Sequence, residues 1–221
     1  MNRDIILFDL DGTLTDPKEG LTKCVAHGLK PFGIEVEDLD TLTCFIGPPL
    51  IDSFMEYFHL TREQAELAVA TYRERYVPIG WAENIPYPGI HEMCEKLKAA
   101  GKKLLVATSK PEGPAVRIME HFDLAKYFDI IGGAPLDNSE RGRKAAVIED
   151  TLKRAGITDL SRCIMVGDRL HDIHGAHEVG MPVIGVLYGY GNRAEHEEHG
   201  ADYIVETVAE LEALLLAEQS F

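Results

Sequence analysis

The run Ile5-Ile6-Leu7-Phe8, followed at once by Asp9-Leu10-Asp11-Gly12-Thr13, constrains this chain more than any other stretch. Four consecutive apolar residues, two of them β-branched, predict a strand buried on both faces. Strands of that kind belong to parallel sheets covered by helices, and there ligands bind beyond the carboxyl ends. The two carboxylates stand where the apolar run stops. On extended backbone Asp9 and Asp11 point the same way while Leu10 points back. Acids so placed repel each other unless a cation or a proton lies between them, and oxygen ligands of this type suit Mg²⁺. Gly12 permits a sharp exit close to a ligand. Asp-Gly between apolar residues is equally a hairpin signal, and these residues alone leave both readings open. A calcium loop of the EF-hand type would need further acids at fixed spacing, which Thr13, Leu14 and Pro17 do not supply.

The remainder of the chain has two textures. From Gly89 onward, strands and helices alternate. Strands are predicted at about 103–108, 129–131, 163–166, 183–186 and 203–205, with helices at about 90–100, 112–122, 143–155, 172–179 and 207–217. Ser109-Lys110-Pro111 is read as following the first of these strands, and Gly132-Gly133 as ending the second. This alternation predicts an α/β fold, a doubly wound parallel sheet. Residues 17–87 instead show helical spacing throughout: Leu21, Val25, Leu29 and Phe32, then Leu39, Leu42 and Phe45, then Leu50, Phe54 and Phe58. Thr61 and Gln64 form a capping-box signature for a further helix. A βαβ unit takes about 30 residues, and the 90–100 helix already supplies a crossover between the first two strands. Residues 17–87 are therefore surplus to the sheet and form an inserted α-helical cap domain, with the core made of residues 1–16 and 88–221. The cap is expected over the acids, since both connectors leave the sheet near them.

Composition limits the function classes. The 221-residue chain carries a formal net charge of −15, which argues against nucleic acid and anionic membrane as partners. No apolar run is long enough to span a bilayer, and the N-terminus opens on a strand without a signal-peptide pattern. Cys24, Cys44, Cys94 and Cys163 are scattered in apolar contexts without a CxxC pair, so they predict buried thiols, neither zinc nor disulfides, and a cytoplasmic location. The expected state is a monomer or weak homodimer, and an anionic small substrate would need local help from a metal and a few placed lysines.

Three other strand or helix ends carry polar groups: Thr108-Ser109-Lys110, Lys144, and Gly167-Asp168-Arg169-Leu170-His171-Asp172. Each has a dull reading alone. Thr108 and Ser109 could be turn caps, Lys144 a solvated charge, Asp172 a helix N-cap. Together they place four acids, two hydroxyls and two lysines at the carboxyl edge of one sheet. In this the chain resembles the haloacid dehalogenase (HAD) superfamily over its whole length. Asp9-Leu-Asp11-Gly-Thr13 is similar to its first motif, Thr108 to the second, Lys144 to the third and Gly167-Asp168 with Asp172 to the fourth. The helical insertion, with Gly47-Pro48-Pro49-Leu50 inside it, and Gly185-Val-Leu-Tyr-Gly-Tyr-Gly191 resemble the phosphoglycolate phosphatase and 5'-nucleotidase branch.

The resemblance implies a Rossmann-like core and a Mg²⁺-dependent phosphatase acting on a small phosphorylated metabolite. By it, Asp9 is the nucleophile that takes the phosphoryl group, and Asp11 is the acid and then the base. By it too, Mg²⁺ is held by the Asp9 carboxylate, the Asp11 main-chain carbonyl and Asp168, with Asp172 direct or through water. Thr108 and Lys144 hold phosphoryl oxygens, with Ser109 and Lys110 beside the substrate. Pro49 and Leu50 in the cap select the leaving group by shape. A phosphomutase of the β-phosphoglucomutase kind and a non-catalytic phospho-ligand binder are the alternatives. Two positions depart from the family pattern: Ser109 where many relatives have Asn, and Arg169 where many have Ser or Thr. His171, His174 and His177 drift round their helix and are read as non-ligands, while His196 and His199 are read as solvated in an acidic loop. Lys18, Arg73 and Arg75 are candidates for reading the substrate or for a plain solvent-facing charge.

Overall fold

The structure, a computed structural model, describes residues 3–135 and 142–217. It divides into two compact units, Met1–Thr15 with Pro86–Phe221, and Asp16–Ile85. The first half of the chain contains β1 (Ile5–Phe8), β2 (Thr15–Asp16), α1 (Lys18–Leu29), α2 (Leu50–Phe58), α3 (Arg62–Arg75), β3 (Ile85–Pro86), α4 (Ile90–Ala99) and β4 (Lys103–Pro111). There follow α5 (Glu112–His121), β5 (Ile130–Ala134), α6 (Lys144–Arg154), β6 (Cys163–Gly167), α7 (Leu170–Val179), β7 (Val183–Val186), α8 (Arg193–Glu198), β8 (Tyr203–Val205) and α9 (Val208–Leu216).

The larger unit is built on a six-stranded sheet in the order β5-β4-β1-β6-β7-β8, and every pairing is parallel. β1 lies inside it because its residues are apolar on both faces. Ile5 and Leu7 pack in one buried cluster with Val147, Ile148 and Leu152 of α6 and Ile173 and Ala176 of α7. Phe8 faces the other way, and its ring meets that of Phe128 edge-on at 5.9 Å. None of the four strand residues is more than 4% exposed, and each such burial contributes roughly 1.5–3 kcal/mol. The expected doubly wound parallel sheet is thus present, with helices flanking it.

Two strands run further than the sequence pattern suggests. β4 continues through Ser109 and Lys110 to Pro111, with its pairing to β5 shifting between Thr108 and Pro111. β5 includes the glycine pair that had been read as its end. The reason is close approach rather than turning: a Cβ on Gly132 would lie 1.9 Å from Thr151 Oγ1, and one on Gly133 would lie 2.6 Å from Glu112 Cα. The helix starting at about 172 begins instead at Leu170.

The smaller unit contains α1, α2 and α3 with a 3₁₀ turn at Leu39–Phe45 and a π turn at Tyr76–Gly80. Its capping box forms as read: Gln64 N–H donates to Thr61 Oγ1 at 3.3 Å and Thr61 N–H to Gln64 Oε1 at 2.9 Å. α1 meets the π turn at backbone distance, since a Cβ on Gly20 would lie 2.0 Å from Gly80 O. Arg75 and Lys18 are used within this unit. Arg75 pairs with Glu83 through two nitrogens at 2.6 and 2.9 Å, and Lys18 pairs with Asp40 at 2.9 Å. Cys24, Cys94 and Cys163 are buried, but Cys44 is only partly so because it sits on the outer side of the 3₁₀ turn. Burial pushes the Cys94 thiol up to about 12 and Cys163 to about 11, so both stay protonated. Among the described residues no helix is long and apolar enough to cross a membrane.

Candidate active site

Sheet register assembles the site. Phe8 pairs with Val106 on one side and Val166 on the other, so the three strands run in register to this level. Asp9 N–H extends the ladder by one bond, donating to Val166 O at 2.9 Å. Asp9, Thr108 and Asp168 therefore stand within a residue or two of one level across adjacent strands, at the switch point where strand order reverses. Gly12, at φ +83°, lies against Asp168: a Cβ there would stand 2.1 Å from Asp168 Oδ2.

Lys144, the first residue of α6, is the central cation. Its Nζ donates to Asp9 Oδ1 at 2.8 Å and to Ala107 O at 3.1 Å, and forms an ion pair with Asp172 Oδ1 at 2.8 Å. Burial would lower its pKa, but Asp172 and Asp9 outweigh it and hold the ammonium charged. α7 packs close enough for this because position 175 is glycine, where a Cβ would lie 2.5 Å from Lys144 Cγ. Lys110 stands on Asp11, with Nζ 2.5 Å from Oδ2. Burial pushes Asp11 up, and Lys110 only partly opposes the shift. Thr108 is buried, and its Oγ1 accepts the Lys110 N–H at 3.2 Å. Ser109 lies in the irregular end of β4.

Asp168 and Asp172 are both buried. Asp168 Oδ2 accepts Tyr190 N–H at 2.8 Å, while Oδ1 has no hydrogen-bond donor among the described residues. Burial raises this acid well above the usual range, and Asp172 and Asp9 add to the shift. Asp172 is also raised by burial, to about 6, with Lys144 opposing. It is not an N-cap; it sits in the first turn of α7 and reaches back to accept Arg169 N–H at 3.1 Å.

Asp9, Asp168 and Asp172 each offer an oxygen within 4.8 Å of the others. Four carboxylates face two ammoniums here, which leaves two negative charges when all are ionised. An all-oxygen set with that charge and one donorless buried oxygen fits a divalent cation such as Mg²⁺. The Asp11 side chain is not in this set, being taken by Lys110. Pro49 and Leu50 lie in the smaller unit, Pro49 preceding α2 and Leu50 opening it.

Several residues around the site escaped the sequence reading. Residues 193–198, read as loop, form α8, and His196 on it is buried rather than solvated. The misreading came from α8's charged composition, although Asn192 ahead of it was an available cap signal. Glu195 on the same helix accepts from Arg169 Nε at 3.0 Å and Leu170 N–H at 2.8 Å. Tyr188 donates its hydroxyl to Thr13 O at 3.1 Å and packs edge-on against Tyr87. His174 and His199 face each other with ring nitrogens 3.0 Å apart, and His177 pairs with Asp202 at 3.1 Å, outside the acid cluster.

Residues 6–186 match the model of the haloacid dehalogenase-like hydrolases. The chain is 42% identical over 210 residues to a 5'-nucleotidase of Pseudomonas aeruginosa, covering 95% of this chain and 94% of that one. It is 38% identical over 211 residues to the tyrosine-protein kinase PtkA of Mycobacterium tuberculosis, covering 95% of this chain and 70% of that one. A crystal structure of a predicted phosphatase from Clostridium acetobutylicum superposes with a TM-score of 0.92 at 45% identity, covering 97% of this chain and 98% of the other. Family model, fold and acid constellation agree: the chain belongs to the haloacid dehalogenase-like hydrolases and is an enzyme of their phosphatase-like kind.

Proposed function

We propose that this protein is a Mg²⁺-dependent phosphatase that hydrolyses a small phosphomonoester through a phosphoryl group carried on Asp9. The observation that carries this reading is the division of labour between Asp9 and Asp11. Asp9 is ion-paired to Lys144 at 2.8 Å, which suits an anionic nucleophile, whereas burial pushes Asp11 up, which suits an acid.

In the first step an Asp9 oxygen forms a bond to phosphorus as the bond to the leaving oxygen breaks, and Asp11 gives that oxygen its proton. In the second, Asp11 takes a proton from water as the water oxygen attacks phosphorus, and the Asp9 carboxylate leaves. Lys144 stays charged throughout and offsets the negative charge of Asp9 and the phosphoryl oxygens. Thr108 Oγ1, close to the Lys110 amide, is available to donate to a phosphoryl oxygen, with Ser109 beside it. Asp9, Asp168 and Asp172, with the Asp11 main-chain carbonyl, are the groups that would hold Mg²⁺. Its chemistry there would be to screen the carboxylates from a dianionic ester and polarise the phosphoryl oxygen. Assignment of Pro49 and Leu50 to leaving-group selection rests on their place in the sequence.

The similarity to a 5'-nucleotidase makes nucleoside monophosphates the first substrates to try, with phosphoglycolate second. The experiment is phosphate release from both classes and from sugar phosphates, before and after chelation. Chelator should abolish release and added Mg²⁺ should restore it; undiminished release in excess chelator would contradict the assignment. Likeness to a tyrosine-protein kinase favours one alternative: a phosphoryl group on Asp9 can pass to a hydroxyl as well as to water. Measuring the split between free phosphate and phosphorylated alcohol at rising alcohol concentration separates the two.

A further inference from the structure

The turn carrying Asp168 and Asp172 is gripped by the segment that follows β7. Tyr190 N–H bonds Asp168, and Gly191 lies so close that a Cβ would stand 1.9 Å from Asp168 O. α8 rises from this loop, with Glu195 N–H capped by Asn192 Oδ1 at 3.0 Å. His196 seats the helix: it is buried, its Nε2 lies 3.3 Å from Val186 O, and Gly185 leaves room for its ring. The neighbouring Glu195 presents its carboxylate to the turn between the two acids. A single oxygen, Oε1, accepts both Leu170 N–H and Arg169 Nε–H, and the two paired side chains are only 15% and 18% exposed. Burial would raise Glu195, yet the Leu170 amide and the Arg169 guanidinium outweigh it and keep the carboxylate ionised.

The first amides of α7 have no partner within the helix. Asp172 takes that of Arg169, and Glu195, arriving from another element, takes that of Leu170. The amides of Arg169 and Leu170 are therefore both fixed by carboxylates, and the turn's ends are two of the three acids grouped for a cation. We propose that Glu195 is a positioning residue for the divalent-cation site: by holding Arg169 and Leu170 it sets the spacing at which Asp168 and Asp172 meet Asp9. Arg169, where many relatives carry a small hydroxyl, is the other half of the device. The inference rests on the cation-assisted reading given above, and it extends that site to a helix beyond the catalytic motifs.

A purely structural Glu195 would lower stability and leave cation binding unchanged, so the test measures both. Mg²⁺ is titrated calorimetrically into the wild type, Glu195→Gln, Glu195→Ala and Arg193→Ala, each also melted in chelator. Arg193 shares α8 but pairs outward with Glu206, and its variant controls for loosening of the helix. Loss of a residue that orients metal ligands costs about 10- to 100-fold in affinity. Glu195→Ala should show a loss of that order, and Glu195→Gln a smaller one because its amide oxygen still accepts from Leu170. Arg193→Ala should bind as the wild type does. With an aryl phosphate, the Mg²⁺ concentration for half-maximal activity should rise in parallel, and kcat at saturating Mg²⁺ should recover most of its value. If Glu195→Ala fails to fold, Glu195→Gln decides. Wild-type affinity in the Glu195 variants, with only a lowered Tm, overturns the proposal alone. A wild type that neither binds Mg²⁺ nor needs it overturns the cation-assisted reading as well.

Discussion

Asp168 shows what the site's acids cost the fold. It is buried, one oxygen lacks a donor among the described residues, and its charge faces Asp172 and Asp9. An acid whose folded pKa is raised destabilises the folded state once pH exceeds the unfolded value near 3.8, and the cost grows until the folded pKa is passed. In chelator, Asp168→Asn should therefore melt at a higher temperature than the wild type at neutral pH, with the gap closing as pH falls towards 4. Mg²⁺ should raise Tm in the wild type and not in the variant. Equal melting of the two proteins at neutral pH would contradict the assigned burial cost. Asp9→Asn keeps an oxygen for Lys144 but removes the nucleophile, so kcat should fall at least about 1,000-fold with the fold intact by circular dichroism. That Asp9, Asp11 and Asp168 gather at one sheet edge was legible because carboxylates directly after apolar strands have few structural reasons to be there. Lys110 was expected beside the substrate, and its pairing with Asp11 was not foreseen; a flexible lysine's partner is set by side-chain geometry that spacing does not encode.

At the scale of elements, what periodicity and capping specify was legible, and what close packing specifies was not. Thr61 and Gln64 announced α3 because their hydrogen bonds are local; Thr61→Ala should lower the stability of that unit by about 1 kcal/mol, read by denaturant titration. Gly132 and Gly133 were read as a stop because glycine weakens strands, but here their missing side chains admit α6 and α5 to β5. Gly132→Ala should cost about 1–3 kcal/mol through the clash with Thr151, and Thr151→Ala in the same protein should return part of it. A double variant no more stable than Gly132→Ala would mean that the strain lies elsewhere, with Val106 O the next neighbour at 3.1 Å. α8 stayed hidden because six mostly charged residues carry too little apolar periodicity to register.

At the scale of the whole chain, residues as distant as Asp9 and Asp172 meet because parallel strands end at one edge, and alternation of strands and helices is what made that edge foreseeable. A protein of net charge −15 can accept a phosphate dianion only where local cations offset its acids; Lys110 and Lys144 stand at this edge, and under the proposed reading a divalent cation would balance the remaining two carboxylate charges. The central claim is that turnover passes through a phosphoryl group on Asp9. Its most direct test is acid quenching of Asp11→Asn, in which the water-attack step lacks its base, after mixing with Mg²⁺ and an aryl phosphate, followed by peptide mass mapping. The account predicts one phosphoryl group on the peptide containing Asp9, lost on hydroxylamine treatment and absent from Asp9→Asn. An unmodified Asp9 peptide in protein that is still releasing aryl alcohol, or a phosphoryl group on any other residue, would contradict it.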